Sequence, residues 1–354
     1  MSIPTEPIGS LPRPRTLLNA LTDHAAGRLN DAELTKLQEQ AVADTLARLG
    51  QLGSPVLVDG DQAKPSTITY PLTGLMTAAP DGATIPFADG HTRQLPCLTA
   101  GPFRYQVRAD TYLKQARKYT DRPIKQAVVA PSALSLLYPS EPIAGYSRQA
   151  FLDDVVAGSE AEIRGCLDAG AHRVQLDFTE GRLALKLDPS GSLLDELVAI
   201  NNRVLDRFTE DERARLGVHT DPGADQDSTH SLDTDYAELL PKLFQLKVGN
   251  FYLQLASEFD PEPVLKIVTN QLRPGIRVFV GVTDPIDTTV ETVEEVRDRV
   301  LLAAQHIPVD QLGTCDDAGF SPWADDTSTS RELAFAKIEA RVQGTALASQ
   351  ALGL

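Results

Sequence analysis

The residues of this chain that could do chemistry gather just after short apolar runs. His219 ends Leu216-Gly217-Val218 and is followed by Asp221 and Asp225 around a Pro-Gly turn. An imidazole beside carboxylates can move protons near neutral pH or hold a metal ion. Asp177 ends Val174-Gln175-Leu176, a run suited to burial, with Glu180 and Arg182 just beyond. A carboxylate there is costly unless a ligand or partner meets it, which points to ligand binding. Other polar run ends are Gly9-Ser10, Asp59 with Asp61, Pro131-Ser132, Gln254 with Glu258, Asp284 with Asp287, and Cys315 with Asp316 and Asp317. Each also has an ordinary reading. Gly9-Ser10 is either a turn before Pro12 and Pro14 or a cradle for a substrate carboxylate. Asp59 and Asp61 could cap a helix, and Glu180 and Arg182 could simply pair with each other. His230, in a polar loop, reads as solvent-facing or as lid material. Cys315 precedes two carboxylates, which disfavours a thiolate nucleophile and suits a metal or amine site better.

The elements that must position these residues repeat. Apolar runs lie near 6–10, 55–60, 124–130, 172–177, 215–219, 249–255, 276–282 and 310–315. Longer helical patterns alternate with them, among them 31–50 and 192–208. Thr292 with Glu295, and Thr329 with Glu332, have capping-box spacing ahead of two such patterns. About eight βα units predict an α/β fold, a (β/α)8 TIM barrel whose site lies at the carboxyl ends of the strands. The Pro-rich stretch at about 64–120 breaks the rhythm and reads as an insertion or lid after the second strand, within a single domain over 1–354. A doubly wound open sheet is the alternative, but no Gly-x-Gly-x-x-Gly or Gly-x-x-x-x-Gly-Lys-[Ser/Thr] follows any run.

Composition narrows the function classes. A net charge of -16 over 354 residues argues against nucleic acid. No stretch approaches the ~20 apolar residues of a bilayer span, and no signal peptide opens the chain. Three scattered cysteines suggest neither a disulfide framework nor a structural zinc knuckle, so the expected setting is the cytoplasm. The expected partner is a small molecule.

Several segments resemble one family. Ile8-Gly9-Ser10-Leu11-Pro12-Arg13 is similar to the Gly-Ser-Phe-Pro-Arg opening of the catalytic barrel of cobalamin-independent methionine synthase, and Val174–Arg182 to the strand carrying its substrate-binding Asp. Asp225–His230, Val248–Tyr252 and Asp325–Arg331 resemble signatures of the family's short, single-barrel relatives. The resemblance implies a methyltransferase in which zinc, bound by His, Cys, Glu and Cys, activates a homocysteine thiol to take a methyl group from a folate. Carried over position by position, the ligands are His219, Asp221 in place of Cys, Gln254 in place of Glu, and Ala318 in place of the second Cys, with Cys315 three residues upstream. The family His that assists transfer falls at about Ile286. Such a set suits a harder ion, weaker zinc or no metal. The implied metal group is His219, Asp221 and Cys315; the implied substrate group is Gly9, Ser10, Asp177, Glu180 and Gln254. Tyr138 lies near where the family presents an aromatic to folate, although packing is its ordinary role. Three readings follow: alkyl transfer to a thiol, a metal-free lyase or hydrolase using His219 and Asp221, and a non-catalytic small-molecule binder.

Overall fold

The computed structural model describes residues 2–223 and 229–354. Four short strands lie in the Pro-rich stretch: β1 (Ala78–Ala79), β2 (Thr84–Pro86), β3 (Thr92–Gln94) and β4 (Cys97–Leu98). Six longer ones form one parallel sheet in chain order: β5 (Lys125–Val129), β6 (Arg173–Asp177), β7 (Leu216–Thr220), β8 (Asn250–Leu253), β9 (Arg277–Thr283) and β10 (Leu312–Asp316). Helices cover the sheet between strands, so β5, β7, β8 and β10 are buried along their whole length, as a parallel sheet requires.

The two remaining barrel positions are filled by extended segments. Thr5 bridges in parallel to Thr314 on β10, and Leu57 to Ile124 beside β5. The Leu11 N–H then donates to the Gly60 carbonyl at 3.0 Å, joining the two flanking segments. The runs at 6–10 and 55–60 thus take barrel positions without becoming full strands, because each holds only a single bridge before turning into the mouth. Chain start and last strand are laced together: Glu6 N–H to Thr314 O at 2.9 Å, and Phe320 N–H to Ser10 O at 2.9 Å. The buried Arg13 guanidinium adds bonds to the carbonyls of Ser321 at 2.8 Å, Trp323 at 3.0 Å and Asp61 at 2.8 Å.

In-register pairing puts inward-facing residues into layers. Asp177 is level with His219, His219 with Tyr252, and Tyr252 with Phe279. Glycines make room for the larger members. A Cβ at Gly217 would lie 2.7 Å from the Tyr252 ring, and one at Gly281 1.7 Å from Asp317 Oδ1.

The helix Val293–Ala304 begins with the Thr292/Glu295 capping box. The final helix, Arg331–Ala351, is capped by Ser330 rather than Thr329; Thr329 is buried, and Glu332 pairs with Arg48 at 2.7 Å. Within 64–120, the β2–β3 hairpin lies across the barrel mouth. Ala88 N–H donates to Thr229 O at 2.7 Å, and Arg93 reaches Asp325 at 3.0 Å while lying over the Trp323 ring. The helix Ala109–Ala116 in the same stretch instead packs on β5 and the helix Arg148–Asp168, so it belongs to the barrel wall.

Candidate active site

His219 sits near the carboxyl end of β7, 1 % exposed, between two carboxylates. Its Nδ1 is 3.6 Å from Asp177 Oδ1, and its Nε2 is 3.6 Å from Asp221 Oδ2 and 3.1 Å from the Asp317 carbonyl. A backbone carbonyl only accepts, so Nε2 carries a hydrogen; Nδ1 faces an oxygen that accepts from Gln175. The ring therefore meets acceptors on both sides. Burial favours the neutral ring, but Asp177, Asp221 and the Asp317 carbonyl outweigh it and raise the imidazole pKa. Asp221 is held by Gly223 N–H at 2.8 Å and, being buried, has a raised pKa of its own.

Glu180 follows β6 and accepts from Ser132 Oγ, while its second oxygen is buried without a partner. Burial pushes its carboxyl up to about 8, with Asp177 and Asp221 adding repulsion. Its burial beside two aspartates thus favours the protonated form of Glu180. These groups floor a cleft at the mouth of the barrel. Its walls are largely apolar, with Ile68, Leu136 and Leu183 on one side and Ile85, Phe87 and Leu95 of the insertion as the roof. Ser10, His230 and Trp323 also line it; among the described residues no Lys or Arg does.

Of the sequence-predicted residues, the fold brings Ser10, Asp177, Glu180, His219 and Asp221 to this cleft. Gly9 does not line it, and Gln254 is a correction: its amide is taken up by Arg182 at 2.6 Å, Ser257 at 2.7 Å and Glu258 at 2.8 Å. Arg182 pairs there with Glu258 rather than with Glu180. Cys315 is also corrected. Its thiol points into the barrel core among Ile8, Tyr252 and Phe279, 3.5 Å from the Phe279 carbonyl, and burial raises its pKa well above the usual thiol value. Asp317 accepts from the backbone of Leu255, Ala256 and Ser257 at 2.7–2.8 Å, fixing the loop after β8. Asp316 pairs with Arg341.

His230 is buried under the hairpin, with its ring 6.0 Å from that of Phe87, rather than solvent-facing. Asp284 caps its own turn through Ile286 N–H at 2.9 Å, and Asp287 does the same for Thr289 at 2.8 Å. Asp59 and Asp61 cap no helix. Asp59 accepts the Asp61 N–H at 3.0 Å, and Asp61, with φ 54°, is 2.7 Å from the buried Lys64. Tyr138 donates to the Tyr146 carbonyl at 2.6 Å and packs on Phe151. Asp225 lies outside the described residues, as does most of Asp225–His230. The sequence marks 64–120 as an insertion or lid but does not single out Ile85, Phe87 or Leu95 as its cleft-facing residues, nor Trp323. The signal was present in Thr84-Ile85-Pro86-Phe87, too short a pattern to fix where the hairpin lands.

The chain is similar to known proteins along nearly its whole length. Residues 3–337 match the family described as cobalamin-independent synthase, catalytic domain. The chain belongs to this family. Similar proteins include a 5-methyltetrahydropteroyltriglutamate–homocysteine methyltransferase of Corynebacterium efficiens, 23% identical over 96% of this chain and 43% of the relative. The chain thus spans less than half of that protein. A methionine synthase of Saccharolobus solfataricus is 22% identical over 99% of this chain and 96% of the relative. Among solved structures, a B12-independent methionine synthase from Shewanella, in complex with selenomethionine, superposes with a TM-score of 0.77 at 21% identity, covering 100% of both chains. A putative vitamin-B12 independent methionine synthase from Listeria monocytogenes gives 0.71 at 17%, over 98% of both. These confirm the barrel fold that the βα rhythm predicts.

The described residues do not fit the zinc centre implied by the cobalamin-independent synthase resemblance. Among the described residues no three His, Cys, Asp or Glu side chains converge as metal ligands. His219 Nε2 is directed at a carbonyl, the Gln254 amide is bonded to Arg182, Ala318 offers no donor, and Cys315 faces the core.

Proposed function

We propose that this member of the cobalamin-independent synthase family is a metal-independent alkyltransferase that moves a methyl or similar group from a small cationic or neutral donor to a heteroatom acceptor. The observation that carries this reading is the floor of the cleft: an imidazole, two aspartates and the buried Glu180 carboxyl beneath apolar walls, with no Cys, Lys or Arg among the described residues of the lining. A sulfonium or ammonium donor suits acidic groups flanked by Phe87 and Trp323. The triglutamate tail in the name of the Corynebacterium relative would find no Lys or Arg in this lining. In the transfer, the carbon–heteroatom bond of the donor breaks with its electron pair staying on the departing heteroatom. The acceptor bonds to the carbon, and its proton passes to the Asp177–His219–Asp221 cluster.

The test is turnover in the presence of a chelator, with labelled sulfonium, quaternary ammonium and methylfolate donors offered against a panel of thiols and amines. Transfer from an onium donor that survives chelation and is lost in His219→Gln is the expected result. Transfer only from methylfolate, or only after zinc is added, would overturn the metal-independent reading. Cleavage with oxygen from labelled water and no alkylated acceptor would make the protein a hydrolase.

A further inference from the structure

Below the candidate site the barrel interior is charged where branched apolar side chains usually pack. Lys125, at the start of β5, is fully buried; its Nζ is 2.6 Å from Gln175 Oε1, 3.9 Å from Glu6 Oε2 and 3.9 Å from the centre of the Tyr252 ring. Glu6 is itself held by Tyr252 Oη at 2.6 Å and by Arg173. Gln175 then gives its Nε2 to Asp177 Oδ1 at 2.7 Å, the oxygen that faces His219.

The direction of this chain is forced. An ammonium has donors only, so Gln175 must turn its carbonyl down to Lys125. Its NH2 must then point up at Asp177, because the flipped amide would set donor against donor. We infer that Lys125, through Gln175, is a positioning residue that holds Asp177 as an acceptor beside His219. A methionine would fill the volume of Lys125 without the cost of burying an ammonium, yet would leave the Gln175 amide free to flip. Burial pulls Lys125 down to about 8 against the pull of Glu6, so below that pH its proton keeps the amide in place. The groups around the imidazole are Asp177 from β6, Asp221 and the Asp317 carbonyl; Glu180 and the Lys64–Asp61 pair interact electrostatically with Asp177.

This inference rests on the reading of Asp177 and His219 as the acid–base pair, but its test needs no substrate. In 15N-histidine-labelled protein the two-bond 1H–15N spectrum at pH 6.5, with His219 assigned by its loss in His219→Gln, reports both ring nitrogens. In Lys125→Met the Nδ1 signal should move toward the neutral, unprotonated position. Gln175→Met leaves the Lys125–Glu6 contact intact and should give the same shift if Lys125→Met fails to fold. A melting temperature that falls while the His219 spectrum stays at its wild-type position would mean that Lys125 and Gln175 only pack, and would overturn the inference. Absence of alkyl transfer would overturn the proposed reaction and leave this result standing.

Discussion

Asp177 and His219 are direct neighbours across two parallel strands, paired Cα to Cα between β6 and β7, with carboxylate and ring nitrogen 3.6 Å apart. Side chains at equal height on adjacent strands point the same way, so the contact follows from register. Asp177→Asn keeps the shape and removes the charge. It should lower turnover by roughly 10²-fold or more, within the range of general acid–base catalysis, with little loss of melting temperature. Unchanged turnover would remove Asp177 from the chemistry.

Glu180 predicts a pH dependence of stability. Its carboxyl, ordinarily near 4.5, is pushed up to about 8 in the fold. Between those values the native state keeps a proton that the unfolded chain has released, so stability falls as pH rises through the window and levels off above it. Glu180→Gln, which mimics the protonated acid, should flatten this slope in thermal melts taken from pH 5 to 8. An unaltered slope would show that Glu180 is ionised in the fold.

His219 contributes with a related sign. Its raised pKa means that its charged form stabilises the fold at acid pH, an advantage fully present below the ordinary imidazole value near 6.5 and lost as pH rises through the folded value. The stability difference between wild type and His219→Gln should therefore shrink as pH increases, measured by denaturant unfolding across the neutral range.

Gly281→Ala should be costly, because its Cβ would lie 1.7 Å from Asp317 Oδ1. Displacing that carboxylate frees three backbone N–H groups after β8 and the carbonyl beside His219. A loss of about 1–3 kcal/mol is expected from such overpacking, with turnover falling further than stability alone explains. Equal stability would mean that the loop after β8 does not depend on Asp317.

Arg93→Ala tests the roof. The Arg93–Asp325 pair is exposed, so its removal should alter stability by about 0–1 kcal/mol. Its effect should fall on KM, because the hairpin bearing Ile85 and Phe87 loses its tie to the Trp323 side of the mouth. A changed kcat at constant KM would place the hairpin in the chemical step instead.

Much of this was legible in the residues. The apolar runs mark the strands because a parallel sheet buries both faces, and strand-end polar residues mark the mouth because the barrel opens there. His219, Asp177, Asp221 and Glu180 were readable for that reason. Gln254 and Cys315 were misplaced for one shared cause: sequence tells which residues lie near a strand end, but not which partner satisfies them first. Arg182 takes Gln254, and the Phe279 carbonyl takes Cys315. Lys125 and Gln126 break the apolar pattern at the start of β5, yet nothing local reveals that Glu6, more than a hundred residues earlier, would meet Lys125.

The lacing of Glu6, Ser10 and Arg13 to Thr314, Phe320 and Ser321 has a consequence in time. One wall of the cleft, Ser10 against Gly319 and Trp323, exists only when the opening residues meet a strand made some three hundred residues later. A growing chain on the ribosome can build βα units early, but it cannot own a binding site until that seam closes. Contacts of such long sequence separation are slow to form, so ligand binding should be the last property recovered on refolding, after helix content.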